Sequence, residues 1–542
     1  GHFWKLRDGV DRGRQEFVVD WENLQRPGFS PDYQEDRYLR MDMAFERADW
    51  IATPAAEALI RNNRPLLAYV AGKTGAFTGK DHNFLPGETV EKQIILINNS
   101  REPVTCDARW ALGLPMPVAG TKSVTVAAGD QVRIPLQLTL PNNLAAGSYE
   151  LRLAATFGSG ETQEDRFVID VLPRVAPATN TAARAKIALF DPRGETAALL
   201  EDLGVPFEKI QATTDLSAYD MLVIGKAALT LDGPAPDITR VRDGLRVIVF
   251  EQASEVLEKR LGFRVTEYGL RQLFPRVPDH PLLASVRPDT LRDWRGSATI
   301  YPGKLKYEMR SRYGPTVEWA GLPVTRVWRC GNRGNVASVL IEKPAIGDFL
   351  PILDGGFSLQ YSPLMEYREG QGMVLFCQLD VTGRTEADPA ANAIVRNALR
   401  YVADWKPSPH RQVIYAGESD GQSFLESLGV EPQPYAGQLS NDDVLVVGAD
   451  GGQALAKDAA LVADFVKAGG NLLAIGLNQD EANAFLPFKI TTRTAEHISS
   501  YFESTGASSL LAGVGPANVH NRDPRELWLV TSGAQVLGDG VL

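Results

Sequence analysis

Apolar and polar residues alternate with a period of two from about residue 83 to residue 173. The alternation is clearest at residues 89–98, 131–139 and 149–155, and polar turns at 98–103 and 128–130 separate these runs. A period of two puts apolar side chains on one face of a strand, and short runs at this spacing are typical of an antiparallel sandwich. We therefore predict an immunoglobulin-like β-sandwich over residues 81–175.

A different pattern begins after a linker at residues 173–183, where Pro, Ala and Thr interrupt the alternation. Short runs that are apolar at nearly every position, such as residues 186–190 and 220–225, now alternate with segments of helical period. Continuous apolar strands separated by helices indicate a parallel sheet that is covered on both faces. We predict a flavodoxin-like, doubly wound α/β domain over residues 184–406.

The landmarks of this domain recur in the same order further along the chain. The first copy has them at residues 186–190, 203–205, 220–225 and 246–250, and the second at 412–415, 428–430, 443–448 and 472–476. Such internal similarity indicates two copies of one structural unit. We predict a second, truncated copy over residues 410–542, without the closing strand at 372–380 and helix at 390–401, and we expect both chain ends to be cut.

The first 80 residues have the pattern of a single strand followed by a helix. Residues 16–20 form a short run with β-branched side chains. Thr53 and Pro54 suit the N-cap and first position of a helix at 53–61. One βα unit cannot bury both faces of its strand. We expect residues 1–80 to be the end of a barrel, which makes the whole chain a multidomain α/β plus β protein.

Composition and charge exclude two classes of partner. Of the 542 residues, 44% are hydrophobic, 56 are Lys or Arg and 67 are Asp or Glu, so the net charge is −11. This charge repels phosphate backbones and anionic lipid, and no apolar run approaches the roughly 20 residues of a membrane-spanning helix. We expect no nucleic acid and no membrane as partners. The amino terminus has no signal-peptide pattern, so localisation stays open, with a secreted or periplasmic parent protein as one expectation.

Residues capable of metal or redox chemistry are few and scattered. Cys106, Cys330 and Cys377 are widely separated, and the six histidines include no pair at metal-ligand spacing. Paired glycines such as Gly469 and Gly470 lack the context of a nucleotide-binding loop. We predict structural thiols, no metal and no cofactor.

Several motifs together resemble a known family. The motifs are residues 17–21, Arg26 with Pro27, Tyr33, residues 53–59 and residues 63–67. They resemble the last strand and helix of the TIM barrel of glycoside hydrolase family 2 and related β-galactosidase-like enzymes. The sandwich is similar to the accessory sandwich that follows that barrel. The repeated α/β domains resemble the β-galactosidase trimerisation domain and its relatives, the class I glutamine amidotransferases.

The resemblance implies where catalytic groups would be, and this chain departs from it. Retaining family members use two glutamates on barrel strands that precede the last one, and those strands are not in this sequence. Glu16 and Glu22 flank the predicted strand, but one βα unit cannot oppose two carboxylates across a sugar. Trp21, at the end of that strand, is a candidate for stacking on a sugar or for packing the unit against its neighbour.

The amidotransferase relatives need a cysteine at a sharp turn after a central strand. Here Glu251 and Leu477 occupy the corresponding positions in the two copies, so we assign them as pseudo-nucleophile positions without a thiol. Ser254, close to the first of them, lacks the sequence context of a catalytic serine and suits a helix cap. No catalytic residue is predicted, and this chain alone is expected to be inactive.

These observations lead to three functional hypotheses. The first is a non-catalytic accessory and assembly region of a β-galactosidase-like glycoside hydrolase, associating with itself, for example as a trimer, or with an N-terminal catalytic barrel. The second is a fragment or subunit of an active exo-glycosidase acting on β-linked galactose or a similar sugar. The third is a carbohydrate-binding module that uses Trp21, Trp110, Trp294 or Trp328 as platforms.

Overall fold

A computed structural model shows a mixed α/β protein in which sheet predominates, as the predicted fold class requires. The structure describes residues 4–7, 9, 47–174, 185–298, 307–311, 314–319, 322–324, 333–356, 359–409, 411–521 and 523–542. Several expectations fall outside the described residues: the strand at 16–20, Glu16, Trp21, Glu22, Arg26, Pro27, Tyr33, Trp328, Cys330 and most of the linker at 173–183.

The chain divides into two compact units. The first comprises Gly1–Thr78, Val90–Leu138 and Tyr149–Val168, and the second comprises Gly79–Thr89, Thr139–Ser148 and Ile169–Leu542. Each unit buries apolar side chains of its own, including Leu96 in the first and Leu375 in the second. In the described part of the chain, no helix has both the length and the apolar character needed to cross a membrane.

A short antiparallel pair of strands and a helix precede the alternating region. Strand β1 (Trp4–Leu6) pairs antiparallel with β2 (Trp50–Ala52), and helix α1 (Pro54–Asn62) follows. The Thr53 side chain accepts a hydrogen bond from the backbone N–H of Ala56, and Pro54 stands at the first helical position. The predicted start of this helix is confirmed, because the cap satisfies an N–H group that no helical carbonyl can reach.

The alternating region forms two sheets. Its strands are β3 (Leu66–Ala71), β4 (Asn83–Phe84), β5 (Thr89–Asn98), β6 (Val104–Leu112), β7 (Val118–Val126), β8 (Asp130–Thr139), β9 (Gly147–Phe157) and β10 (Thr162–Val171). One sheet has the order β3-β5-β8, and the other has the order β4-β10-β9-β6-β7. Burial along β6 alternates as predicted, since Cys106 and Ala108 are buried whereas Thr105 and Asp107 are exposed.

Polar side chains of β10 join the two sheets within the first unit. The backbone N–H of Ala68 donates to Oε1 of Gln163 at 2.9 Å, and that of Val70 donates to Oδ2 of Asp165 at 2.8 Å. Arg61 of α1 also pairs with Asp165 at 3.0 Å. These bonds satisfy backbone donors of β3 that would otherwise lack a partner.

The second unit contains a ten-stranded sheet. The elements of this region are β11 (Ile187–Phe190), α2 (Glu195–Asp202), β12 (Glu208–Lys209), β13 (Met221–Ile224), β14 (Arg246–Val249), α3 (Ser254–Lys259), β15 (Val265–Leu270), β16 (Phe274–Pro275), β17 (Trp294–Ser297), β18 (Tyr307–Ser311), β19 (Gly314–Trp319), β20 (Leu322–Val324), β21 (Arg333–Gly334), β22 (Ala337–Glu342), β23 (Phe349–Gly355), β24 (Tyr361–Glu369), β25 (Gly372–Cys377) and α4 (Pro389–Asp404). The main path of the sheet is β12-β11-β13-β14-β25-β24-β22-β15, and β23 joins β24 to β16.

The prediction that this region is a parallel sheet holds for only half of it. Five strands run parallel: β12, β11, β13, β14 and β25. The other five, β24, β22, β15, β23 and β16, pair antiparallel. The reason is visible at the connection between β24 and β25, where only Gly370 and Gln371 separate the strands. Gly370 has φ +60°, the left-handed conformation that a two-residue hairpin requires.

Helices cover both faces of the parallel half. Ile187, Leu189 and Ile248 pack with α2 and α4 on one face, and Ala188 and Val247 pack with α3 on the other. Burying an aliphatic side chain of this size stabilises the fold by roughly 1.5–3 kcal/mol. The alternation of burial between the two faces follows from the period-two geometry of the strands.

Asp388 fixes the start of α4. Its carboxylate accepts from the backbone N–H of Ala390 at 2.9 Å and of Arg295 at 2.8 Å. The Asn83 side chain, also in the second unit, donates to Asp388 Oδ1 at 3.1 Å and to the carbonyl of Thr290 at 3.0 Å. The cap therefore ties together β4, the residues before β17 and the helix.

The last part of the second unit repeats the strand order at the parallel end of the ten-stranded sheet. Its elements are β26 (Val413–Ala416), α5 (Ser419–Ser427), β27 (Gln433–Pro434), β28 (Val444–Val447), α6 (Gly451–Leu455), α7 (Ala459–Lys467), β29 (Asn471–Ala474), α8 (Gln479–Phe485), β30 (Thr491–His497) and β31 (Arg525–Ser532). The parallel order β27-β26-β28-β29 matches β12-β11-β13-β14 strand for strand. The strands that the sequence predicts to be equivalent in the two copies therefore occupy the same positions in their sheets. Strands β30 and β31 form a separate antiparallel pair.

Candidate functional site

A group of buried polar side chains lies where parallel strands of the ten-stranded sheet end. Because β13, β14 and β25 run in the same direction, their carboxyl ends meet at one edge of the sheet. Lys226 follows β13, Glu251 follows β14 and Asp380 follows β25, and all three are buried. The edge therefore brings Glu251, a position singled out from the sequence, together with groups that sequence reasoning did not find.

The carboxylate of Glu251 accepts three hydrogen bonds from the loop after β25. Its Oε1 accepts from the backbone N–H groups of Val381 at 2.8 Å and Thr382 at 2.7 Å, and its Oε2 accepts from the Thr382 hydroxyl at 2.8 Å. Only 2% of Glu251 is exposed to solvent. The side chain thus connects the end of β14 to the loop after β25 and has no contact with bulk water.

Burial also changes the protonation of Glu251. Desolvation raises its pKa to about 7, and the neighbouring Asp380 carboxylate acts in the same direction. The hydrogen bonds from Thr382 oppose the shift, since they favour the ionised form. A carboxyl group of this pKa could serve as a general base, but here both oxygens accept hydrogen bonds from the protein's own backbone and hydroxyl groups.

Gln252 fixes the adjacent turn. Its Nε2 donates to the carbonyls of Gly225 at 2.8 Å and Phe250 at 2.7 Å, and its Oε1 accepts from the N–H of Leu229 at 3.1 Å. Its own backbone N–H donates to Oε1 of Gln378 at 3.0 Å. The turn that would carry a nucleophile in an amidotransferase-like site is therefore held by internal bonds.

Asp380 and Arg384 form a second buried pair beside Glu251. Their side chains lie 2.7 Å apart, and the guanidinium also donates to the backbone carbonyls of Trp294 at 2.7 Å and Arg295 at 2.9 Å. A fully buried charge is tolerated only when it is paired and hydrogen bonded, as it is here. This pair explains why Asp380 stays close to Glu251 as a negative neighbour.

The described thiols and the candidate serine are unsuited to nucleophilic chemistry. Cys106 and Cys377 are buried, and burial raises the pKa of Cys106 to about 11 and that of Cys377 still further. The Ser254 hydroxyl donates to the carboxylate of Glu267, and Ser254 begins α3. The thiols lack the lowered pKa of a nucleophilic cysteine, and Ser254 has a carboxylate as its hydrogen-bond partner rather than the histidine of a Ser–His pair.

The second copy differs at the equivalent turn. Arg246 of β14 pairs with Met221 and Asn471 of β29 pairs with Val444, so five residues further the chain reaches Glu251 in one copy and Gly476 in the other. Gly476 has φ +68°. Leu477, the position assigned from the sequence, lies one residue later and is buried in the apolar core of its sheet.

The tryptophans proposed as sugar platforms have different surroundings. Trp294 is fully buried, and its indole N–H donates to the carbonyl of Thr290 at 2.9 Å, so it cannot stack on a ligand. Trp110 is half-buried and lies against Gly120 of the paired strand β7. Trp21 and Trp328 lie outside the described residues.

Trp110 also lines a groove of the first unit, with a volume of about 1140 Å³. Small residues such as Ala111 and Ala154 line the groove together with several charged side chains, which are Arg61, Arg109, Glu150, Arg152, Glu164, Asp165 and Arg166. In the described part of the chain, no cluster of three or more His, Cys, Asp and Glu side chains could hold a metal ion. The groove offers hydrogen-bonding groups of both signs beside one aromatic ring.

Comparisons with known proteins do not assign a family. No protein-family model and no curated protein matches the chain. Three of the similar solved structures each cover between 20% and 26% of this chain. The CARDB domain of the Pyrococcus furiosus protein PF1109, in complex with di-metal ions, is 10% identical, covers 20% of this chain and 87% of its own, and has a TM-score of 0.16.

Two further structures are similar at the same level. A family 123 glycoside hydrolase from Clostridium perfringens is 12% identical over 26% of this chain and 32% of its own, with a TM-score of 0.15. The Pseudomonas fluorescens alkylpurine DNA glycosylase AlkC is 14% identical over 22% of this chain and 33% of its own, also with a TM-score of 0.15. At these scores the likenesses carry no functional argument.

Proposed function

We propose that this chain is a non-catalytic accessory and assembly region of a β-galactosidase-like glycoside hydrolase. In this proposal residues 1–80 end a TIM barrel, the alternating region is an immunoglobulin-like sandwich, and the two repeats are flavodoxin-like domains related to the trimerisation domain. The repeats associate with a second copy of the chain. In the first repeat the parallel strands have the order β12-β11-β13-β14-β25, which is 2-1-3-4-5 in chain order. This order is typical of flavodoxin-like sheets and supports the flavodoxin-like assignment.

The observation that carries the assembly role is the edge of β29. Among the described residues β29 pairs only with β28, and Leu473 and Ile475 beside this edge are 51% and 46% exposed. In the first repeat the equivalent strand β14 pairs with β25, and α4 packs against it. An apolar edge strand with unpaired N–H and C=O groups is a template for pairing with another chain.

The sealed turn at Glu251 supports the non-catalytic part of the proposal. The carboxyl is buried and accepts three hydrogen bonds from Val381 and Thr382, so it faces the protein interior rather than a substrate site. The described thiols lie elsewhere and have raised pKa values. Function depends on a site rather than on a fold, and this site is closed.

Light scattering coupled to size exclusion tests the assembly role. We expect the chain at micromolar concentration to have at least twice its monomer mass, because a stable interface buries more than about 1,000 Å². The variants Leu473→Lys and Ile475→Lys should return it to a monomer, since a buried unpaired charge opposes strand pairing. Leu510→Lys is the matched control, because Leu510 is 77% exposed and distant in sequence from the β29 edge.

Two results would count against the proposal. A monomer across the whole concentration range would remove the assembly role. Turnover of a nitrophenyl β-galactoside that a single carboxylate substitution in this chain abolishes would contradict the non-catalytic role and favour the exo-glycosidase hypothesis.

A second candidate function is carbohydrate binding, and the groove beside Trp110 favours it. Sugar sites commonly combine an aromatic face with charged side chains that donate and accept hydrogen bonds. Isothermal titration with galacto-oligosaccharides should show binding that Arg109→Ala weakens several-fold and Arg101→Ala, an exposed residue that does not line the groove, leaves unchanged. Absence of heat with every oligosaccharide would exclude this role for the groove.

A further inference from the structure

A second cavity lies in the second unit, where the first repeat meets the end of the second. It has a volume of about 420 Å³, within the range typical of small-molecule sites. Strand β16 and the residues after it form one side, and residues 501–504 with Pro516 and Ala517 form another. Three hydrogen bonds join these sides, including Ser504 Oγ to the carbonyl of Pro275 at 3.0 Å.

Apolar and aromatic side chains line most of this cavity. Phe274 and Tyr501 are 44% and 75% exposed, whereas Phe502 is buried. Pro275 and Pro516 complete the apolar lining. Exposed aromatic rings beside an enclosed apolar surface can contact the flat or apolar body of a ligand.

Two buried cations also line the cavity, and they share one carboxylate. The side chains of Arg276 and Lys343 are 7% and 10% exposed, and that of Asp354 is 1% exposed. Arg276 Nη2 lies 2.6 Å from Asp354 Oδ2, and Lys343 Nζ lies 2.6 Å from Asp354 Oδ1. The trio therefore has one positive charge in excess.

Neither cation has enough acceptors among the described residues. Arg276 Nε also donates to Asp354 Oδ2 at 2.7 Å, and Arg276 Nη1 makes a long contact of 3.4 Å with the carbonyl of Val514. Lys343 Nζ has three N–H donors, and within the described ranges its ion-pair partner is Asp354 alone. Burial lowers the pKa of Lys343, as expected for an ammonium group that lacks full compensation.

Glu503 is the other carboxylate that lines the cavity, and it has a different partner. It accepts a hydrogen bond from the Tyr501 hydroxyl at 3.0 Å and is exposed to solvent. In the described part of the chain it forms no ion pair with Arg276 or Lys343. Among the residues that the structure describes, the excess charge therefore has no recorded carboxylate partner at the buried end of the cavity.

We propose that this cavity binds a small organic monoanion, a carboxylate attached to an apolar or planar body. The carboxylate accepts hydrogen bonds from the free donors of Lys343 and Arg276, and the body of the ligand packs against Phe274 and Tyr501. A single excess positive charge matches a monoanion better than a phosphate group, which has a charge near −2 at neutral pH. Charge-assisted hydrogen bonds of this kind are the strong ones in a partly buried site.

Isothermal titration of the full chain tests the site with benzoate as the probe. We expect saturable binding at one site per chain with a dissociation constant below about 1 mM. Benzamide, which has the same ring without the charge, should bind at least about tenfold more weakly. Inorganic phosphate, which has charge without an apolar body, should also bind more weakly than benzoate.

Variants assign the binding to this cavity. Lys343→Met removes one cation at similar volume and should weaken benzoate binding by about tenfold or more. Tyr501→Ala changes a 75% exposed side chain, so it should weaken binding by several-fold without changing the thermal unfolding midpoint. Lys406→Met is the matched control, since Lys406 is exposed and does not line the cavity.

The proposal fails if benzoate gives no saturable heat up to about 10 mM, or if benzamide binds as tightly as benzoate. It also fails if Lys343→Met folds and binds benzoate normally, or if Tyr501→Ala leaves the affinity unchanged. Tighter binding of phosphate than of benzoate would show that the cavity is a site for simple anions and not for organic carboxylates. These outcomes do not depend on the oligomeric state, so they are independent of the assembly role.

Discussion

Protonation of Glu251 is coupled to folding, because its pKa differs between the folded and unfolded chain. The folded state raises this pKa from 4.5 to about 7. The stabilisation from holding the proton is therefore fully present below about pH 4.5 and is lost as the pH rises through about 7. Glu251→Gln cannot ionise, so we expect its free energy of unfolding not to fall in this way. The difference in free energy of unfolding between Glu251→Gln and the unmodified chain should therefore increase by up to roughly 3 kcal/mol between about pH 5 and pH 8.

Urea unfolding at several pH values measures this difference. Glu255→Gln is the matched control, because Glu255 is exposed on α3 and should show no such trend. Parallel pH profiles for Glu251→Gln and the unmodified chain would contradict a raised pKa at Glu251.

The thiols provide a second prediction at the residue scale. Cys106 and Cys377 are 1% exposed each, and burial raises the pKa of both. In a Cys330→Ser background we expect iodoacetamide to modify neither thiol in the native protein while modifying both in urea, since the thiolate is the reactive form. Mass spectrometry of the labelled protein measures this, and rapid native labelling of either cysteine would show that it is accessible.

At the scale of the element, α4 depends on its cap. Asp388 accepts hydrogen bonds from the N–H groups of Ala390 and Arg295 and from the Asn83 side chain. Asp388→Ala leaves these buried donors unpaired, and we expect it to lower the free energy of unfolding by about 2–4 kcal/mol. Asp404→Ala, an exposed change at the other end of α4, should have almost no effect or a small stabilising one, because it removes a negative charge near the helix C-terminus.

Chemical denaturation followed by circular dichroism compares the two variants. Equal stabilities for Asp388→Ala and Asp404→Ala would show that the cap contributes little to α4.

Sequence patterning predicted the elements whose signals are local. The cap at Thr53 and the apolar strands β11 and β13 lie where they were expected. The antiparallel strands β22, β23 and β24 were missed, because an apolar run does not encode its direction and only the connection to β25 reveals it. The domain boundaries and the family resemblance stay predictions.

The same limit applies to the sites. The position of Glu251 follows from a strand and its turn, which are contiguous in sequence. Its partners Val381 and Thr382 are about 130 residues away, so no spacing rule could indicate them. Arg276, Lys343 and Asp354 come from separate segments and form no motif. The Leu477 position differs by one residue from the structural equivalent of Glu251, since the strand lengths alone leave the register open.

At the scale of the whole molecule, the second repeat depends on contacts with the first. Arg276 donates to the carbonyl of Val514, and the Asp279 carboxylate accepts from the N–H of Ala507 at 2.5 Å. We expect the double variant Arg276→Met, Asp279→Ala to speed amide hydrogen exchange in residues 491–532 and to leave β13 unchanged, because local opening depends on the nearest contacts.

Hydrogen exchange followed by mass spectrometry resolves these segments. Asp232→Ala, an exposed change in the first repeat, is the control. Unaltered exchange in residues 491–532 would show that the second repeat is held by its own packing alone.

The bond between Asn83 and Asp388 also has a consequence for synthesis on the ribosome. The two residues are 305 positions apart, and the side chain of Asn83 is buried against Asp388 and Thr290. At a translation rate of about 5–20 residues per second, Asn83 emerges roughly 15–60 s before Asp388. During that interval the Asn83 side chain lacks the Asp388 carboxylate, the later of its two partners to be synthesised. The hydrogen bond between Asn83 and the α4 cap can therefore form only after Asp388 has been synthesised.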